Sequence, residues 1–146
     1  MATYSFLDVT ASLIGPTGVI DLGQGSANSK EGITQTMGGN KNTMTIGADG
    51  EVMHSLHADK SGTITVTLLK TSPVNKKLSL AYNAQSQSSA TWGNNVIVIR
   101  NTASGDISTA RSCAFQKQPD FNNANEGGTV AWVFDCGKID QLLGEF

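Results

Sequence analysis

The sequence predicts a mainly β protein, an antiparallel β-sandwich or barrel with one amphipathic helix over about residues 72–84. Three observations carry this reading. Apolar and polar residues alternate with period 2 in short runs, most plainly where Thr63, Thr65 and Thr67 interleave with Ile64, Val66 and Leu68. Gly-, Pro- and Asn-rich punctuation separates the runs. Once only, the period lengthens: Val74, Leu78, Ala81 and Tyr82 stand at i, i+4, i+7 and i+8 and make one apolar stripe.

Taken in order, residues 3–14 alternate, with Leu7, Val9, Ala11 and Leu13 on one face of an expected strand. Gly15-Pro16-Thr17-Gly18 is a turn, because Pro fixes φ and Gly permits φ > 0, and Val19–Leu22 returns as a second strand. Gly23–Lys30 reads as loop. Gly32–Met37 and Thr43–Ile46 flank a Gly/Asn-rich turn and read as a hairpin. Residues 37–62 show little hydrophobic periodicity overall, and segments of that length are usually functional or disordered. After the strand at 63–70, Ser72 is an N-cap candidate with Pro73 at the first helical position. Val96-Ile97-Val98-Ile99 suits a strand buried on both faces, and Ile107–Lys117 its partner, ended by Pro119. A polar loop, Asp120–Gly128, leads to a last strand, Thr129–Cys136. The tail, 137–146, is expected as a short helical turn or as chain lying against a neighbour. The sum is six to eight strands in a single domain, 1–146.

Composition narrows function. Net charge is −2, so no basic surplus supports tight nucleic-acid binding. No apolar run reaches the ~18–20 residues of a membrane helix. The opening MATYSFLDVT lacks a basic stretch followed by an apolar block, so no secretory signal is expected. Charged residues are only 15% of the chain, while 63 of 146 positions are Gly, Ser, Thr, Asn or Gln. A surface so poor in charge is poor at keeping molecules apart, which hints at contact between copies. Cys113 and Cys136 form no CxxC unit and read as two core thiols kept reduced in a cytosol.

No active site stands out. His54 and His57 share the spacing H-x-x-H, but two ligands are too few for a metal centre and no HExxH glutamate accompanies them. No G-x-S-x-G elbow or phosphate-cradling glycine pattern occurs. The expectation is a non-enzyme without cofactor or metal. Trp132 reads as core; Trp92, beside Gly93-Asn94-Asn95, is an interface-anchor candidate.

The stretches TYSFLDVTASLIGPTG, EGITQTM, NKNTMTIGADGEVMHSLHADKSGTITVTLLKTSPVN, NNVIVIRNTASGD and EGGTVAWVFDCGKID resemble the tail tube proteins of contractile-tailed bacteriophages, in particular a group of small single-domain tube proteins. The resemblance implies hexameric rings stacked into a hollow tube, with sheets from six subunits joined into one inner barrel. It implies a location in the virion tail after synthesis in the host cytoplasm. Implied partners are further copies of the chain, the tail sheath protein, baseplate or initiator and terminator proteins, a tape measure protein in the lumen before ejection, and passing DNA that is not tightly bound. A long loop or hairpin reaches the next ring in such tubes. Residues 37–62 suit that role, with Lys41, Asn42, Met44, Glu51, Met53 and His54 as contact candidates. Asp8, Asp106 and Asp135 are candidates for acids facing the lumen, where they would repel phosphate. The inner tube of a phage-derived contractile bacteriocin fits the same pattern without DNA cargo. Two readings of other classes are a surface- or carbohydrate-binding β-sandwich, which clustered exposed aromatics would favour, and a metal-dependent hydrolase through His54 and His57.

Overall fold

Residues 2–146 are described by a computed structural model. A 3-10 turn, Phe6–Asp8, leads into β1 (Val9–Gly15) and β2 (Gly18–Asp21). Next come β3 (Asn28–Met37), β4 (Asn42–Ile46), β5 (Val52–Leu56) and β6 (Gly62–Leu69). The helix α1 (Val74–Gln85) precedes β7 (Asn95–Asn101), β8 (Ile107–Phe115) and β9 (Thr129–Leu142). Seven strands form one antiparallel sheet in the order β2-β1-β7-β8-β9-β6-β3, while β4 and β5 pair only with each other.

The sheet curls because its two longest central strands change face together. On β8 the buried residues step from Ala110 to Cys113, and on β9 from Cys136 to Ile139, so inward parity switches on both. Ser112 sits at the switch with φ 54, and the residue facing it is Gly137, whose added Cβ would crowd Ser112 Cβ at 3.1 Å. Local irregularity of this kind bends a strand and increases its twist. The bend brings β3, at one edge of the sheet, back over β8 and β9. Gln35 Nε2 donates to Gln141 Oε1 at 2.9 Å, and Ser108 Oγ donates to Gln35 Oε1. The result is a half-barrel wrapped around its own core.

That core follows from the alternation. Val9, Ala11 and Leu13 of β1, Ile64, Val66 and Leu68 of β6, and Trp132, Phe134 and Cys136 of β9 are all buried. Burying a side chain such as Phe134 is worth roughly 1.5–3 kcal/mol. The expected stripe of α1 is the face it buries: Val74, Leu78 and Ala81. Phe115 links helix to sheet, meeting Tyr82 edge-on at 5.5 Å, Trp132 at 5.9 Å and Phe134 at 4.8 Å. The helix end is fixed by polar groups. Gln85 Nε2 donates to Asn95 Oδ1 (2.9 Å) and Thr17 Oγ1 (3.1 Å), while Asn95 Nδ2 donates to Gln85 Oε1 (2.7 Å) and to the Cys113 carbonyl (3.1 Å). Gln85 and Asn95 are buried, so these bonds satisfy groups that water cannot reach.

Several expectations are corrected. The described strands number nine. The first begins at Val9, and Leu7 is exposed in the preceding turn. Residues 32–37 do not pair with 43–46. They pair with β6, Ile33 opposite Val66 and Gln35 opposite Ile64. β4 pairs instead with β5, inside a segment read as unpatterned. The helix begins at Val74, with Pro73 just before it, and Ser72 Oγ accepts the Val74 N–H at 3.3 Å. On β7 only Ile97 of the apolar run is fully buried; Val96, Val98 and Ile99 are half-buried. β9 runs on to Leu142, so residues 137–142 of the tail are strand rather than a helical turn, and 143–146 are neither. Part of Gly23–Lys30 belongs to β3. Among the described residues no helix is long and apolar enough to cross a membrane.

Candidate assembly interface

Among the described residues, two features of the surface lack partners within the chain. The first is the pair of sheet edges. β2 and β3 each pair on one side only, so each presents a row of backbone donors and acceptors. β3 is the longer, ten residues, with a register shift between Asn28 and Ile33 where Gly32 takes φ 63. The second is the β4–β5 arm, which leaves the sheet between Met37 and Gly62.

The arm follows from local pairing. The turn between its strands is tied by the Gly47 N–H to the Glu51 carbonyl at 2.8 Å and by Asp49 Oδ1 accepting from Glu51 N at 3.2 Å. Register puts Met44 opposite His54 and Ile46 opposite Val52, with Asn42 opposite Leu56. Partners share a face, so Met44, Ile46, Val52 and Leu56 form one apolar face, edged by Asn42 and His54. Leu56 is 81% exposed and Ile46 57%. An isolated two-stranded hairpin is marginal in water, and this one has an apolar face bare to solvent. At its root, Lys60 and Arg111 each reach Asp140 at 3.1 Å. The hydrogen bond and charge of Lys60 hold the Asp140 carboxyl below the usual range, with Arg111 assisting. A hydrogen bond from Ser61 does the same for Asp59.

The contact candidates Lys41, Asn42, Met44, Glu51, Met53 and His54 all lie in the arm, and all are exposed. Met44, Asn42 and His54 share the apolar face; Met53 is on the opposite one; Lys41 is at the root and Glu51 in the turn. Sequence reasoning missed Ile46, Val52 and Leu56. Val52-Met53-His54-Ser55-Leu56 carries no strict alternation, and only the pairing with β4 shows which residues share a face. The histidines do not converge: His54 Nδ1 meets Asn42 Nδ2 (3.2 Å), while His57 Nε2 meets Thr43 Oγ1 (2.7 Å). Among the described residues no group of three or more His, Cys, Asp or Glu is placed to hold a metal ion.

Trp92 is 36% exposed and leans on Tyr82 at 5.9 Å and Phe115 at 6.4 Å. The three acids lie apart. The Asp8 carbonyl accepts from Thr102 N (2.9 Å) and Thr102 Oγ1 (3.1 Å). Asp106 accepts from Gly144 N and so ties down the C-terminal segment. Asp135 is exposed on the outward face of β9, opposite Thr63, with Gln116 Nε2 at 3.2 Å. Around it the outward positions are Thr34 and Thr36 of β3, Thr63, Thr65 and Thr67 of β6, and Ala131 and Val133 of β9, with no Lys or Arg among them.

Known proteins share this fold. The chain superimposes on the sheath-tube complex of an extracellular contractile injection system, PVC, in the extended state, with TM-score 0.58, 13% identity and coverage of 97% of this chain and 92% of that one. The sheath/tube terminator of the same kind of system gives TM-score 0.58 at 10% identity over 97% and 98%. The tube terminating cap of the anti-feeding prophage gives 0.56 at 9% identity over 99% and 95%. At such identities the likeness establishes the shared fold. No curated protein matches the chain significantly. Residues 1–144 match the family described as bacteriophage PhiTE tail tube protein. The chain therefore belongs to the bacteriophage PhiTE tail tube protein family and is a structural component of a virion tail, not an enzyme.

Proposed function

We propose that this subunit closes into hexameric rings through its sheet edges, and that the rings stack into the hollow conduit through which DNA leaves the virion. The observation that carries the reading is the incompleteness of the lone chain: two open sheet edges and an ordered arm with a bare apolar face. Edge pairing around a closed ring removes the open edges. It also makes a head-to-tail stack, in which the arm of one subunit seats its apolar face on a copy in the adjacent ring. Lys41, Asn42, Met44, Glu51, Met53 and His54 are the contact residues of that arm, joined by Ile46, Val52 and Leu56. Trp92 is an anchor between neighbours in the ring.

The threonine-rich outward face of β3, β6 and β9 is our candidate lumen lining. Around Asp135 it is threonine-rich and carries no Lys or Arg, with the exposed Lys138 set beyond the Gly137 bend and Lys30 at the far end of β3, a combination that disfavours holding phosphate there. Asp8 and Asp106 remain weaker candidates, since Asp106 is engaged locally. The sheath, terminator and baseplate proteins are the proposed neighbours of the tube, in keeping with solved assemblies titled as sheath-tube, terminator and baseplate structures. A tape measure protein fills the lumen before ejection, and assembly follows synthesis in the host cytoplasm. The match to a phage family favours DNA cargo over the bacteriocin-like alternative. Negative-stain microscopy of concentrated protein tests the assembly: stacked rings of uniform width are expected, and dispersed single subunits at every concentration would overturn it.

A further inference from the structure

We propose that Cys113 and Cys136 are a latent cross-strand disulfide site, closed by a peroxide oxidant, that staples β8 to β9 at the root of the arm. The two residues are direct register partners on adjacent antiparallel strands. They occupy a non-hydrogen-bonded pair. Gln116 N donates to the Val133 carbonyl at 2.9 Å, and pairs alternate along an antiparallel ladder, so 115/134 and 113/136 fall between hydrogen-bonded pairs. The Cys113 carbonyl accordingly turns to the other neighbour, where Asn95 Nδ2 donates to it. Non-hydrogen-bonded partners have Cα atoms about 4.5 Å apart, within the span a disulfide bridges. The sulfurs already approach to 3.0 Å, with the Cys113 thiol donating to Cys136 Sγ.

That donated hydrogen bond favours the thiolate of Cys136 and disfavours that of Cys113, which assigns their roles. The Cys136 thiolate attacks one oxygen of hydrogen peroxide. An S–O bond forms, the O–O bond breaks, and the departing hydroxide takes a proton to become water. Cys113 sulfur then attacks the resulting sulfenic sulfur. The S–S bond forms, the S–O bond breaks, and the Cys113 proton leaves with the hydroxyl as a second water. Two thiols are oxidised and one peroxide is reduced. Cys136 is 3% exposed and Cys113 fully buried, so a small oxidant is required and bulky disulfides are excluded.

Position gives the staple its meaning. Cys136 is also the register partner of Gly62, the first residue after the arm, and both cysteines adjoin the Ser112/Gly137 bend. Closure would fix the bend and the arm's root together once particles leave a reducing cytoplasm, a use that rests on the tube reading. The chemistry does not rest on it.

The test treats purified wild-type protein with hydrogen peroxide, quenches, unfolds it in guanidinium with a maleimide, and maps tryptic peptides without reductant. Expected is an intramolecular link between peptides 112–117 and 118–138, lighter than their sum by two hydrogens and reversed by dithiothreitol. The thermal midpoint of the linked protein should rise by about 10 °C. A Cys113→Ala variant should instead carry Cys136 on to the sulfinic acid. Both thiols fully labelled after oxidation, sulfinic acid without a link in wild type, or links only between separate subunits would overturn the proposal. Each readout is taken on the unassembled protein, so a failure to form tubes bears on the functional reading alone.

Discussion

Replacing Asn95 by Ala removes the centre of a buried side-chain network that joins helix to sheet. The substitution deletes both bonds to Gln85 and the bond to the Cys113 carbonyl. Gln85 Nε2 keeps Thr17 Oγ1, but Gln85 Oε1 loses its donor in a site closed to solvent. An unsatisfied buried amide oxygen costs about 1–3 kcal/mol and each of the three lost bonds about 1 kcal/mol net, so Asn95→Ala should destabilise the subunit by about 4–6 kcal/mol. Urea unfolding of dilute, unassembled protein measures this, with Trp132 and Trp92 as fluorescence probes and the m-value as a check on two-state behaviour. A second arm makes the test specific. In the Gln85→Leu/Asn95→Leu double variant neither partner is stranded, so the loss should be smaller than the two single Leu losses added together, a coupling of at least about 1 kcal/mol. A loss below about 1 kcal/mol for Asn95→Ala, or strict additivity of the double variant, would refute the reasoning.

Gly15→Ala should act through the same network, because a Cβ there overlaps Asn95 Oδ1; a cost of about 1–3 kcal/mol is expected in the same urea assay, and a neutral result contradicts the packing. Met44→Asp with Leu56→Asp should leave the subunit's melting temperature within about 2 °C of wild type, since both residues are exposed, while abolishing tubes in electron micrographs. Asp135→Lys in an intact virion should slow DNA release; unchanged ejection kinetics would remove Asp135 from the lumen. Asp140 has a lowered carboxyl pKa in the fold, so its contribution is present above the unfolded value of about 3.9 and fades as pH falls through the lower folded value. Asp140→Asn should therefore flatten stability against pH below about 4, most visibly at low salt; an unaltered profile means that the ion pairs with Lys60 and Arg111 are inert.

Strands that bury one face throughout were legible in the sequence. β6 alternates Thr with Ile, Val and Leu because one face meets the core along its whole length. The helix was legible because its stripe follows a different period. Pairing was not. Gly32–Met37 lies close in sequence to Thr43–Ile46 across a plausible turn, yet its partner is β6, chosen by Ile33 meeting Val66 in the core. Periodicity says that a strand exists and which face is apolar, and leaves its neighbour open. The end of β9 is hidden in the sequence because the alternation breaks at Gly137, where the strand changes face but does not stop. The arm's location was legible as a gap in patterning. Its apolar face was hidden, because Val52, His54 and Leu56 show their common side only beside Met44 and Ile46.

Hydrogen–deuterium exchange on the same protein, dispersed and then assembled, asks most directly whether identical copies complete the subunit. Amides of Gly18–Asp21, Asn28–Met37 and the arm Asn42–Leu56 should exchange quickly in the dispersed state and become strongly protected on assembly, while β8 and the buried core stay slow in both. Protection of the two edges and the arm already complete in the dispersed subunit, or absent after assembly, would contradict the account.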